Sequence, residues 1–365
     1  MFKYKNLFFY SIIIIISFFS ALIFSLIWFS VLHSEKNLNQ QIIQNRILMA
    51  KSWFLNNIDQ AKGILHYQYQ PATNSYSNKN NHTRQLATLW AITELNKFLN
   101  NDKALTDLIN STFDYYLYFQ KCPADYCYLQ IEDNNQIAQN AFILLALQNE
   151  PNYPNSQNLQ KKFAQALINQ QRTDGSYKLY FDQQKLTGIN YYPGEAMLAL
   201  IKYYHLNNDP VYLASVQKAH KYYQKYWQTN KNTAFIPWQT QAAYYLYQET
   251  ENQAIADFIF NMNDWLIAEN QIITPVYLEG LIDAYKLAVQ NQNQQRINEY
   301  KKTINLSLNH LLNLQYTEKS AQNLINPQKA IGGFRDSLEK NQQRIDSTQH
   351  GLMALIKIYN YNIFN

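Results

Sequence analysis

Ala141-Phe142-Ile143-Leu144-Leu145-Ala146 contains no charge, whereas Leu159-Gln160-Lys161-Lys162-Phe163-Ala164-Gln165-Ala166-Leu167 sets apolar residues at helical spacing among polar ones. The first reads as a helix covered on most sides, the second as the stripe of a half-exposed helix. Working outward from this pair, period and capping signals predict helices near 36–57, 83–99, 103–120, 137–149, 156–171, 195–207, 210–229, 238–249, 251–270, 275–291, 293–315 and 347–360. Asp209-Pro210 and Thr274-Pro275 each set a capping side chain before a proline at a helix start. The helices alternate. Those at 83–99, 137–149, 195–207, 238–249, 275–291 and 347–360 are rich in Ala, Leu and Gly, and the rest carry Lys, Gln and Asn between apolar positions. Six low-charge helices alternating with six amphipathic ones predict an all-α domain of two concentric rings, closed where 36–57 meets 347–360. An open solenoid would show a regular repeat, and no 34-residue period is present.

The rest of the composition narrows the classes. Glycine (8) and proline (9) are too scarce in 365 residues for a turn-rich β fold. Thirty-one basic against 26 acidic residues leave a dispersed +5, which marks no nucleic-acid surface. From Leu7 to Leu32 the chain runs 26 residues without a charge, behind Lys3 and Lys5. That exceeds the roughly 20 residues needed to span a bilayer, and the flanking lysines put the N-terminus in the cytoplasm. The expected organisation is a cytoplasmic tip and uncleaved signal-anchor over 1–33, then a single domain over 34–365, periplasmic or on the cell surface. A cleaved signal peptide would have a shorter apolar core. Outside the cytoplasm, Cys122 and Cys127 either form a short-loop disulfide or stay reduced. Two cysteines supply neither a Cys₄ nor a Cys₃His zinc site, and no metal is expected.

The helix alternation over Ser34 to Asn365 resembles the (α/α)6 toroids of the six-hairpin glycosidase-like superfamily and, more distantly, the terpenoid-cyclase toroids. Gln171-Arg172-Thr173-Asp174-Gly175-Ser176-Tyr177 is similar to the Gln…Gly-x-aromatic repeat of the cyclases, but occurs once and without their Asp-x-Asp-Asp motif. The Cys and His zinc pattern of the lanthionine-cyclase toroids is also missing. The resemblance implies an (α/α)6 barrel acting on carbohydrate.

In such a ring the inner helices run in one direction, so their N-termini surround a single mouth with amides and dipole ends. The segments entering them hold His82 and Arg84, Asn140, Asp174, Tyr191, Tyr192 and Glu195, Trp238 and Gln239, Tyr277 and Glu279, then Arg335, Asp336, Arg344, Asp346 and His350. Arginine stands at six positions, against lysine as the common cation, and Arg84, Arg172, Arg335 and Arg344 border predicted inner helices. A guanidinium grips a carboxylate at two points, so these predict an acidic ligand, unless they pair with Asp174, Asp336 or Asp346 to pin loops. Glu195 and Asp346, both at inner-helix starts, are the candidate acid–base pair that glycoside hydrolysis requires. Asp346 with Gln349 also reads as a capping box, and Glu195 also favours a helix dipole. His350, one turn after Asp346, is the third catalytic candidate, with Asp346 placed to orient its imidazole, or else a core histidine. Tyr191, Tyr192, Trp238 and Tyr277 offer flat faces for a sugar ring.

Nucleotide-cofactor, phosphate-loop and zinc-protease signatures are absent, and no cofactor is expected. The sequence therefore favours a membrane-anchored glycoside hydrolase acting on an acidic or amino-sugar-containing polysaccharide. The alternatives are a lyase using Arg84 or Arg344 with His350 or a tyrosine, a non-catalytic glycan-binding or assembly module, and a scaffold for protein partners.

Overall fold

The computed structural model describes residues 39–270 and 272–363. Twelve long helices are present among them: α1 (39–56), α2 (His82–Phe98), α3 (Lys103–Leu117), α4 (Ile137–Asn149), α5 (Ser156–Asn169), α6 (Tyr192–Asn207), α7 (Pro210–Thr229), α8 (Ile236–Thr250), α9 (Gln253–Glu269), α10 (Pro275–Gln290) and α11 (Gln294–Leu314), then, after two four-residue helices, α12 (Glu318–Ala321) and α13 (Pro327–Ala330), α14 (Ile345–Tyr361). The inner ring runs α2, α4, α6, α8, α10 and α14, each packed on the next, with α14 returning to α2. Helices α3, α5, α7, α9 and α11 pack outside. Helix α1 completes the outer ring: Lys51 pairs with Asp102 at the start of α3, and the Arg46 carbonyl accepts from Gln315 Nε2 just past α11. The closed double ring expected from the alternation is what the chain forms.

Burial follows the sequence pattern. In α4 every residue from Ile137 to Leu147 is buried, whereas α5 buries a stripe that includes Leu159, Phe163, Ala164 and Leu167. Close packing of inner helices is set by small residues: a Cβ on Gly194 of α6 would lie 2.6 Å from that of Trp238 in α8, so the first turns touch backbone to backbone.

Several boundaries depart from expectation. Helix α6 starts at Tyr192 because Pro193 fits its first turn. Helix α3 stops at Leu117 because β5 (Gln120–Lys121) turns back onto β6 (Tyr128–Leu129), a hairpin tied by the Cys122–Cys127 disulfide. Asp209 caps α7 through Val211 N, but Thr274 makes no side-chain cap to α10. No Asp346–Gln349 capping box forms, since Arg344 is the N-cap residue of α14 and Asp346 is already inside its first turn. The sequence reading also missed the short strands. Besides the β1 (Ile58–Asp59) and β2 (Ile64–Leu65) pair, a three-stranded sheet orders β4 (Ser75–Tyr76), β3 (Gln68–Gln70) and β7 (Gln343–Arg344), with Gln68 opposite Arg344. That pairing fixes Arg344 at the ring mouth. The expected signal-anchor over 1–33 lies outside the described residues, among which no helix is long and apolar enough to cross a membrane.

Candidate active site

The first turns of all six inner helices converge on one cavity of about 420 Å³, lined by Arg84, Gln136, Glu195, Trp238, Tyr277 and His350 among others. Tyr191, Tyr192 and Asp346 line it too. This is the mouth that parallel inner helices predict, and eight of the candidate residues line it: Arg84, Tyr191, Tyr192, Glu195, Trp238, Tyr277, Asp346 and His350; Arg344 stands behind them, bound to Asp346.

Glu195 carries the unusual electrostatics. It is 5% exposed, its Oε2 has no hydrogen-bond partner among the described residues, and burial pushes its pKa up to about 8. An isolated carboxylate is costly to desolvate, so the group holds its proton at neutral pH. Asp346 is the opposite case. Burial pushes its pKa up, but Arg344 and Arg84 outweigh that and hold it below the usual carboxylate range. Arg344 grips it at two points, Nε to Oδ1 and Nη2 to Oδ2, both 2.9 Å, and Arg84 Nε lies 3.1 Å from Oδ2. Two acids in one cavity thus sit in opposite protonation states, the pattern by which acid and base roles are separated.

These contacts include the loop-pinning pairs that were one of the two readings of the arginines. Arg344 Nη1 also lies 3.5 Å from Asp336, and Arg84 Nη1 donates to the Tyr67 hydroxyl. Two guanidiniums are answered by two carboxylates, so the charge expected to recruit an acidic ligand is largely spent on pinning the mouth. Arg335 lies apart, donating to the Leu314 and Asn313 carbonyls and stacking over Tyr316. Asp174 is likewise outside the cavity: it accepts from Ser176 N and Oγ in the turn that seats Gly175 against α7. Arg172 braces the same turn through Ser176 and the Tyr177 carbonyl. Gln239 is buried behind the wall, and Asn140 serves the hairpin, accepting from Leu129 N and donating to the Cys127 carbonyl. His82 faces a neighbouring pocket, 3.2 Å from the Tyr116 hydroxyl.

His350 lines the cavity, but its orienting carboxylate is not Asp346. Its Nδ1 lies 2.7 Å from Oε1 of Glu279, a fully buried residue of α10 whose Oε2 has no partner among the described residues. Sequence reasoning placed Glu279 near the mouth without this role, because nothing local links α10 to α14. Tyr277 donates to Thr233, and the Trp238 ring lies 6.1 Å from the His350 ring. Gln136 and Thr83 were missed as lining residues. A neutral amide at the N-cap of α4 carries no pattern that distinguishes it from the many other glutamines in the chain. No group of three or more His, Cys, Asp or Glu among the described residues is arranged to hold a metal ion.

No protein-family model matches the chain, and no curated protein matches it by sequence. Solved structures do match its fold. A cellobiose 2-epimerase from Bacillus thermoamylovorans B4167 superposes with a TM-score of 0.68 at 9% identity, over 89% of this chain and 100% of that one. A D-mannose isomerase gives 0.67 at 10% identity, over 89% and 97%. An inactive variant of an α-1,6-mannanase of Salegentibacter sp. HEL1_6, in complex with α-1,6-mannotetrose, gives 0.63 at 10% identity, over 87% and 99%. The chain therefore has the (α/α)6 toroid fold of these structures. The mannanase variant was inactivated at two consecutive aspartates. No two aspartates are consecutive anywhere in the present sequence.

Proposed function

We propose that the protein is a carbohydrate-active enzyme that hydrolyses a glycoside in the cavity at the ring mouth. The observation that supports this most is Glu195, a carboxyl group kept neutral near pH 7 on the wall of a cavity that also holds an ionised carboxylate. Glu195 would protonate the leaving oxygen, and Asp346, clamped by Arg84 and Arg344, would hold the mouth in shape around the reacting sugar. Both Asp346 oxygens are engaged by guanidiniums, so water activation falls to His350, whose Nδ1 is held by Glu279 and whose Nε2 remains to accept a proton. Aromatic faces at Trp238 and Tyr277 would seat the sugar ring. The acidic-substrate expectation is not carried into this proposal, because Asp346 and Asp336 already answer Arg84 and Arg344. The substrate proposed is a neutral glycan. The uncharged run Leu7 to Leu32 supports tethering at a membrane with the domain outside.

The test is release of reducing ends from neutral glycans by the purified protein and its Glu195→Gln variant. Loss of a general acid lowers turnover by about 10² to 10⁴. A folded variant that cleaves at the wild-type rate would end the hydrolase reading. A second reading, isomerisation or epimerisation of a free aldose, is favoured by the His350–Glu279 pair, since a braced imidazole suits proton removal next to a carbonyl. It predicts exchange of the C2 hydrogen of mannose or cellobiose with solvent deuterium, with no chain cleavage.

A further inference from the structure

A second pocket, of about 350 Å³, adjoins the cavity on the side of α2 and α4. Asn81, Thr83 and Gln136 line both, and a 2.6 Å hydrogen bond from Thr83 Oγ1 to Gln136 Oε1 forms the ridge between them. The chemistry changes across that ridge. The first cavity combines ionisable groups with aromatic faces, whereas the second is walled mainly by side-chain amides, including Asn78, Asn80, Asn134 and Gln139. An amide offers a donor and an acceptor together, which matches the vicinal hydroxyls of a sugar. Glu132 is the one charged side chain on this wall and no lysine or arginine lines it, so the pocket does not suit an anionic unit.

Gln139 gives a second, independent sign. It is 1% exposed, it lines the pocket, and its Oε1 has no hydrogen-bond partner among the described residues. Buried polar atoms are normally satisfied, and a ligand hydroxyl would satisfy this one. His82 adds a further polar group; burial lowers its pKa, which keeps the ring uncharged at neutral pH.

We propose that the two cavities form one binding surface for a neutral oligosaccharide: the reacting unit occupies the cavity at Glu195, and the next unit lies across the Thr83–Gln136 ridge in the amide-lined pocket. This rests on the catalytic reading of the first cavity and makes the substrate an oligomer.

The test is calorimetric titration of the full protein carrying Glu195→Gln, to prevent turnover, with the mono- to tetrasaccharides of the neutral α-1,6-manno and β-1,4-gluco series. Affinity should rise about tenfold from one unit to two in the series that fits, as one or two added hydrogen bonds would give. Adding Gln139→Leu or Asn134→Ala should remove at least about two-thirds of that gain and leave monosaccharide affinity unchanged. Asn134 is exposed on a turn, so its variant serves if Gln139→Leu does not fold. Equal affinity at every length, or a gain that survives both substitutions, overturns the oligomer inference alone. Failure of every sugar to bind overturns it together with the enzymatic reading.

Discussion

The two ends of the inner ring use the same scarce materials and reach opposite results. At the C-terminal end Lys202 Nζ lies 3.0 Å from Glu94 and over the rings of Trp90 and Tyr245, and Trp90 Nε1 also donates to Glu94. Burial pushes the Glu94 pKa up, but Lys202 outweighs it and brings it down to about 2. Lys357 donates to Asp283 at 2.6 Å and to Gln241, and Tyr361 donates to Asp283 as well. Glu94, Lys202, Asp283 and Lys357 each have an opposite neighbour there, and the space left is about 100 Å³. At the N-terminal end Asp346 is equally well matched, but Glu195 has no ion-pair partner and the space is about 420 Å³. The difference separates charges that close a barrel from a neutral acid held out of pairing, and it marks the end at which the chemistry is proposed.

The comparison breaks most visibly at Glu195. Glu195→Gln should lower turnover by about 10² to 10⁴ while the circular dichroism spectrum stays that of the wild type. At the paired end the expected damage is to stability. Lys202→Ala leaves Glu94 with an uncompensated charge; allowing for partial exposure, it should cost about 2–3 kcal/mol in denaturant unfolding. The double variant Lys202→Met, Glu94→Gln should recover most of that loss, and catalysis below the melting transition should be unchanged in both.

The pH dependence of stability sharpens the same contrast. Glu195 has a folded pKa raised from 4.5 to about 8, so the folded state binds its proton more tightly than the unfolded chain does. Its contribution is full below about pH 4.5 and is lost as pH rises towards about 8. Asp346, whose folded pKa is lowered from 3.8, contributes stability above that value and loses it on acidification. Buried His220, with a folded pKa lowered from 6.5 to about 4, gives the opposite slope below about pH 6.5, so melting temperature should decline between pH 6.5 and 8, and Glu195→Gln should flatten that decline. The smallest effect is expected for Arg344→Lys, which keeps charge but loses the two-point grip on Asp346, costing about 1 kcal/mol in the same unfolding assay.

What was legible in the sequence follows from the range of the interactions. The contrast between Ala141–Ala146 and Leu159–Leu167 is local, and it sufficed to order two rings of helices. The common mouth was legible too, because helix direction alone carries Glu195, Trp238, Tyr277 and Asp346 to one end. The pairings were not. Arg84 meets Asp346, and Glu279 meets His350, only when α14 closes the ring against α2 and α10. Local spacing instead suggested Asp346 as the partner of His350. The strand pairing that places Arg344 opposite Gln68 joins segments too short to carry a period of their own.

The protonation state of Glu195 tests the account most directly. Isotope-edited infrared or carbon NMR titration of the wild type, with Glu195→Gln as the subtraction that assigns the signal, should show one buried carboxylic acid that is protonated at pH 7 and ionises near pH 8. A Glu195 signal already ionised at pH 6, with a midpoint near 4.5, would contradict both the general-acid role and the distinction between the two ends of the ring.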